Sequence, residues 1–426
     1  MKNLTLGFLG MGNIGSGVAR VLAQNAAVIA HRDEMTFTIK KALVRSLDKV
    51  RNTPLGPEAF TTRPEEVVAD PEIQIVVELL GGLHPARELM LQALEHGKTV
   101  VTANKAVLAT YWHEFEAAAR QSDAGLYYEA SVCGGIPIIN VLTRSMQANR
   151  IGSMMGIING TTNYILTKMS EEGRDYADVL AEAQRLGLAE PDPSFDVGGM
   201  DAAYKLSILS SLAFHARVPV DKVFVEGIEA VTPEDIREGA ELGYTLKLLA
   251  IGKKRDTTVQ VRVHPTFIPA RHPLSSVRDS FNAVFIRGDA VDDLMLYGRG
   301  AGDLPTASAI ISDIITAAKH THHPYSTFYN GPEASPDLSF QENWTCGFFV
   351  RLTVRDQPGV LSRIAGIFSQ QNVSIASMVQ KGHGTDEVPL IFVTHDTHEQ
   401  GMERAIGQIR QLEQVLAVNS VIRVES

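Results

Sequence analysis

Leu4-Thr5-Leu6-Gly7-Phe8-Leu9-Gly10-Met11-Gly12-Asn13-Ile14-Gly15-Ser16-Gly17-Val18 is the stretch that decides the architecture. Residues 4–9 read as a buried strand, and Ile14, Val18 and Leu22 then recur at helical spacing. Between them stands Gly10-x-Gly12-x-x-Gly15. In a strand–turn–helix setting each glycine has a geometric task. Gly10 permits the tight turn, Gly12 lets backbone approach a pyrophosphate, and Gly15 lets helix and strand pack closely. The helix start, at Asn13 and Ile14, then offers N–H groups and a partial positive charge to phosphates. A glycine-rich structural turn is the bland alternative, because a chain with 35 glycines will place some at this spacing by chance.

Moving outward, strand patterns at residues 37–44, 73–80 and 99–102 alternate with helical patterns at 89–96 and 106–120. That alternation predicts a parallel sheet with helices on its faces. From about Glu129 the texture changes to glycine-rich turns and long helical patterns up to Leu249. Strand candidates follow at 259–263 and 283–286, and one more helix at 305–319. Residues 321–346, rich in Pro, Ser, Gly and Asn, read as a linker. Beyond them the pattern is strand, helix, two strands, helix, strand, a ferredoxin-like βαββαβ order.

Composition narrows the function classes. The chain has 426 residues, enough for two to four domains of roughly 100–200 residues each. Its formal net charge of -10 and lack of basic runs argue against a nucleic-acid or anionic-membrane partner. No apolar stretch is long enough to span a bilayer and no signal peptide is visible, so a cytoplasmic location is expected. Two cysteines far apart, Cys133 and Cys346, read as free thiols.

At the end of the second strand an acidic residue would bind the ribose 2′-hydroxyl of NAD. Here stands Arg45, with Lys49 and Arg51 nearby, which favours the 2′-phosphate of NADP over NAD. A solvated strand end is the other reading of Arg45. Further polar segments are too specific to be core: Thr102-Ala103-Asn104-Lys105, Glu129-Ala130-Ser131-Val132-Cys133-Gly134-Gly135-Ile136-Pro137, Asn159-Gly160-Thr161-Thr162-Asn163-Tyr164, Glu190-Pro191-Asp192-Pro193 running on to Asp196, Asp201 and Lys205, and Gly298-Arg299-Gly300-Ala301-Gly302. A lysine in such a segment can supply both a proton and positive charge to an oxygen that gains negative charge. Asp201 and Lys205, four apart on a helix, share a face; alone they would read as an exposed ion pair worth a few tenths of a kcal/mol. The cluster of His320, His322 and His323 has no partner at ligand spacing and reads as a solvated loop.

Taken in order, these segments resemble homoserine dehydrogenase, in the form that carries a C-terminal ACT domain, over the whole chain. The resemblance implies reversible reduction of L-aspartate 4-semialdehyde to L-homoserine with NADPH or NADH, on the route to threonine, methionine and isoleucine. It implies Lys205 as general acid and Lys105 as the group orienting the carbonyl, with the two roles exchangeable. Glu190 would bind the substrate ammonium, and Asp196 and Asp201 would complete an acidic wall. Gly160 and Thr161 would either hold the substrate carboxylate at a helix start or simply cap that helix. Asp192 reads as a turn former. The segment from Glu129 resembles the family's structural sodium site, with oxygens from Glu129, Val132, Gly134 and Ile136. Cys133 stands there where glycine is expected, so a positive φ would strain the loop. Gly302 would lie near the nicotinamide.

The implied map is α/β throughout: a Rossmann-type doubly wound sheet at 1–130 completed by 303–320, a central α+β catalytic and dimerisation domain at 131–302, the linker, and the ACT domain at 347–426. Asp356-Gln357-Pro358-Gly359-Val360-Leu361 followed by Asn372-Val373-Ser374-Ile375 carries the ACT likeness. Asp356, Gly359, Val360 and Ile375 would hold an amino-acid effector, usually threonine in the family; a domain that only dimerises is the alternative. A homodimer or homotetramer is expected. Two further readings stand beside this one: another NAD(P)-dependent dehydrogenase of a small aldehyde or hydroxy acid, and a non-catalytic amino-acid sensor.

Overall fold

Residues 1–319, 338–382 and 386–425 are described by a computed structural model. They divide into two compact units. Met1–Met154, Asp201–Val223 and Phe281–Leu338 make the first; Met155–Met200, Phe224–Ser280 and Ser339–Ser426 make the second.

The first unit is built on six parallel strands: β1 (Lys2–Leu9), β2 (Met35–Leu43), β3 (Phe60–Thr61), β4 (Ile75–Glu78), β5 (Thr99–Thr102) and β6 (Leu126–Tyr127). Their order is β3-β2-β1-β4-β5-β6. This is the doubly wound arrangement, whose order reverses between β1 and β4 and leaves a crevice at the carboxyl ends there. The runs Ile75-Val76-Val77 and Val100-Val101 are fully covered, as strands with helices on both faces must be. Helix α1 (Asn13–Asp33) follows β1. The helix Asp303–Lys319 shares its core: Ala307, Ile310, Ile311 and Ile314 pack in one cluster with Leu4, Leu6, Val18, Leu22 and Ile29. The pair is pinned at its ends by Arg20 to Asp303 at 2.8 Å and Lys319 to Asp33 at 2.6 Å.

The second unit contains the C-terminal ferredoxin-like element. Strands Thr345–Arg355, Ile375–Gln380, Glu387–Thr394 and Val415–Val424 carry the helices Val360–Gln370 and Glu399–Ile409. The apolar faces of those helices, with Ile364, Phe368, Met402 and Ile409, cover the sheet. Its last strand continues into a neighbour: Val415–Val424 pairs in parallel with Thr258–Pro269, which forms a hairpin with Tyr244–Arg255. Arg351, nearly buried, ties the same sheet to the capped start of helix Pro233–Glu241 through Asp235 at 2.8 Å and Glu234 at 2.7 Å.

Two sequence expectations are corrected. Ile151–Ile157 and Tyr244–Arg255 are strands, not parts of helical patterns. In the second, Leu246, Leu248, Leu249, Ala250 and Ile251 form a nearly continuous apolar run, which periodicity cannot assign between buried strand and buried helix. Of the expected linker, residues 321–337 lie outside the described residues, as do His320, His322 and His323. The remainder is packed: Ser339–Phe340 pairs with Thr258 and Val259, and Trp344 is buried. No described helix is long and apolar enough to cross a membrane.

Candidate active site

The glycine turn sits where β1 ends beside β4. Gly10 has φ +107, and a Cβ there would stand 2.8 Å from the Leu79 carbonyl oxygen. A Cβ on Gly15 would meet the Gly10 carbonyl at the same 2.8 Å. Gly12 differs, because nothing lies within 4 Å of its Cβ position. Gly10 and Gly15 are therefore required by the turn itself, whereas Gly12 is bare toward open space. Gly12 is also the N-cap of α1 and supplies no side-chain cap, so Asn13, Ile14 and Gly15 begin the helix uncapped by a side chain. That is the geometry of an anion site. Arg45 is exposed in the turn after β2. Arg51 folds back, donating to the carbonyls of Lys49 at 2.7 Å and Ser46 at 2.8 Å, with its guanidinium 5.2 Å from the Phe60 ring centre.

At the ends of β4 and β5 lie Glu78, Thr102 and Asn104. Asn104 caps the helix Lys105–Gln121 by accepting from Val107 N–H at 3.2 Å. Lys105 is thus the first residue of a capped helix. Its ammonium lies 2.9 Å from Asp201 Oδ1, and Lys205 Nζ lies 2.6 Å from Asp201 Oδ2. One carboxylate holds both lysines. Asp201 is only 5% exposed and Lys205 only 12%, so the pair is not the solvated ion pair its spacing alone suggests. Burial of this kind strengthens charge–charge coupling well beyond its surface value.

The loop 129–137 is in the same unit. Cys133 has φ +56, a left-handed position, as its place among glycines leads one to fear. Its thiol is fully buried, hydrogen-bonds the Asn282 side chain and is pushed up to about 11 by burial. The Glu129 carboxylate accepts from Ile139 N–H and Asn140 N–H at 2.8 Å each, and from the Asn140 amide. Both its oxygens are thus occupied at the start of the short helix Ile138–Asn140. Burial first, and then the charge of Glu129, hold the Asp313 carboxyl well above the usual carboxylate range; Asp313 accepts the Glu129 N–H at 2.8 Å. The Val132, Gly134 and Ile136 carbonyls remain as hard oxygen donors, of which Ile136 also accepts from Ile138 N–H at 2.8 Å. Gly134 packs against Gly300, and Gly135 N–H donates to the Arg299 carbonyl at 3.0 Å. Gly302, at φ +124, turns the chain into the helix Asp303–Lys319.

Glu190, Asp196, Gly160 and Thr161 belong to the second unit. Asn159 caps the helix Gly160–Glu172, accepting from Thr162 N–H at 2.9 Å, and its amide donates to Asp196 Oδ1 at 2.8 Å. Thr161 donates to the Leu188 carbonyl at 2.7 Å and lies 3.2 Å from Asp196 Oδ2. Gly160 is required by contact, since a Cβ would stand 2.8 Å from the Ser280 carbonyl oxygen. Glu190 is exposed just before Pro191. Asp192 accepts from Ser194 N–H at 3.1 Å, the turn-forming role expected of it.

In the C-terminal element Asp356 is exposed and accepts from Gln380 at 3.1 Å. Gly359, at φ +91, is the N-cap of helix Val360–Gln370 and supplies no side-chain cap. Val360 is buried behind it, and Ile375 opens the next strand. Sequence reading missed Glu78 and Asn282. Glu78 carried a signal, a lone charge at the end of an apolar run; Asn282 carried none.

The chain is similar to known proteins over its whole length. The family described as Homoserine dehydrogenase matches residues 137–315, its NAD binding domain residues 10–129, and the ACT domain residues 348–414. A homoserine dehydrogenase of Synechocystis sp. is 44% identical, with 99% of each chain covered. A crystal structure of a homoserine dehydrogenase from Thiobacillus denitrificans superposes with a TM-score of 0.94 at 43% identity, covering 100% of this chain and 99% of that one. A hyperthermophilic archaeal homoserine dehydrogenase in complex with NADPH superposes with a TM-score of 0.64 at 27% identity, covering 74% of this chain and 98% of that one. With an open dinucleotide turn, two lysines on one buried aspartate and relatives alike over their full length, the chain belongs to the homoserine dehydrogenase family, whose members are oxidoreductases.

Proposed function

We propose that the chain interconverts L-aspartate 4-semialdehyde and L-homoserine with NADP in preference to NAD, in the route to threonine, methionine and isoleucine. The observation that carries the mechanism is the shared Asp201, bonded to both Lys105 and Lys205. The bound nicotinamide supplies or accepts the hydride. In reduction, Lys205 gives its proton to the alkoxide oxygen. Asp201, wedged between the two ammonium groups, offsets their mutual repulsion and fixes their spacing. Lys105 holds the carbonyl oxygen and stabilises the charge that develops on it. In oxidation Lys205 takes the proton back.

Glu190 anchors the substrate ammonium. Asp196, its carboxylate held by the Asn159 amide, adds negative charge to that anchor. Gly160 and Thr161 hold the helix start that faces the substrate carboxylate. Arg45 supplies the preference for a 2′-phosphate, and the NADPH of the archaeal relative supports that choice. A sodium ion would be held by the carbonyls of Val132, Gly134 and Ile136. Glu129 would add only its carbonyl, because its carboxylate is committed to Ile139 and Asn140. Threonine binds at Asp356, Gly359, Val360 and Ile375 and feeds back on the reaction. The enzyme works in the cytoplasm as a homodimer or homotetramer.

The test is nicotinamide absorbance with L-homoserine and NADP⁺ at alkaline pH, where proton release favours oxidation. Cofactor reduction, inhibited by added threonine, is the expected result. Absence of reduction with NADP⁺ and with NAD⁺, in protein shown to be folded, overturns the substrate assignment.

A further inference from the structure

Glu78 ends β4 beside Leu9, at the point where the strand order reverses, and is fully buried. Its Oε1 accepts from Leu80 N–H at 2.8 Å, and its Oε2 accepts from the Thr102 hydroxyl at 2.6 Å. Thr102 Oγ1, with its proton directed at Glu78, accepts from Asn104 N–H at 3.0 Å. The Asn104 amide then donates to the Gly82 carbonyl at 2.7 Å, while its oxygen caps the helix that begins with Lys105. These bonds close a ring. It joins the loop after β4 to the loop after β5 and delivers Lys105 to Asp201.

We propose that Glu78 is a positioning residue for Lys105, acting through Thr102 and Asn104. This rests on the assignment of Lys105 to the active site. Every partner of Glu78 in the ring is a donor, so the side chain there must be a double acceptor. An amide in its place accepts from only one of the two donors: its N–H confronts either the Leu80 N–H or the Thr102 hydroxyl, whose proton then loses its acceptor, and in both cases the ring between the two loops loses a link. The first turn of the helix then shifts, and with it the ammonium that meets Asp201. Displacements of about 1 Å in a catalytic constellation cost up to roughly 10²-fold in rate.

The experiment is a double-mutant cycle in the full-length chain: Glu78→Gln, Lys105→Ala and the double variant, assayed for L-homoserine oxidation at saturating cofactor. Cofactor affinity and Tm are measured alongside. The expected result is a fall of about 10–10² in kcat for Glu78→Gln, cofactor Kd within about threefold of the parent, and a double variant within about twofold of Lys105→Ala alone. Multiplied losses in the double variant, a loss confined to cofactor binding, or unchanged kcat in Glu78→Gln would each overturn the proposal. Normal turnover in Lys105→Ala removes the underlying assignment as well, and is distinguishable because only that single variant reports it. Should Glu78→Gln fail to fold, Thr102→Val cuts the ring one link nearer Lys105 and carries the same expectations.

Discussion

Asp196 and Asp201 stand five residues apart and have opposite surroundings. Asp201 is buried against two ammonium groups. Asp196 faces an amide and a hydroxyl, those of Asn159 and Thr161, which also organise a helix start. A carboxylate between two cations fixes their separation; a carboxylate beside neutral groups is held in place by the local fold. The first arrangement suits the proton transfer proposed for Lys205, the second the anchoring proposed for Asp196.

Lys205→Ala should lower kcat by about 10²–10⁴ while leaving cofactor affinity largely intact, as steady-state kinetics with a separate cofactor titration will show. Near-normal turnover removes Lys205 from the chemistry. Asp201→Asn removes the carboxylate that spaces the two ammonium groups, so kcat should fall roughly tenfold or more with cofactor affinity little changed. A kcat within about twofold of the parent contradicts the shared-carboxylate reading. Asn159→Ala removes the cap and one hydrogen bond to Asp196; the expected loss is about 0.5–2 kcal/mol of stability, read by chemical denaturation.

The smallest effect concerns Asp313. Burial keeps its carboxyl protonated in the folded state above the pH at which the unfolded chain ionises, so the folded state binds more protons and stability falls as pH rises from about 4. Asp313→Asn should cancel that slope, raising Tm relative to the parent increasingly from pH 4 toward neutrality. Parallel Tm–pH curves would show that Asp313 is already ionised.

Much of this was legible in the sequence, for a physical reason in each case. The Gly10, Gly12 and Gly15 spacing, the apolar strands ending in polar loops and the βαββαβ pattern are local signals that survive without tertiary information. Asp201 with Lys205 was visible as an i, i+4 pair. The approach of Lys105 to the same carboxylate was not, because 96 residues separate it from Asp201 and no periodicity reports such a contact. Nor was the commitment of the Glu129 carboxylate to Ile139 and Asn140, since the residue type suits a cation and a helix start equally well. The strand Tyr244–Arg255 was misread because burial on both faces erases alternation.

The helix Asp303–Lys319 has a consequence for how the protein is made. The apolar face of α1, with Val18, Leu22 and Ile29, is complete by residue 33, yet the helix that covers it begins at residue 303. At ~5–20 residues per second of translation, the roughly 270 residues between them take about 15–55 s to synthesise. For that interval the nascent chain carries an unsealed hydrophobic surface outside the ribosome. The N-terminal part therefore cannot reach its final packing as it emerges, and its biogenesis depends on whatever shields that face, chaperone or transient collapse, until about three quarters of the message has been read.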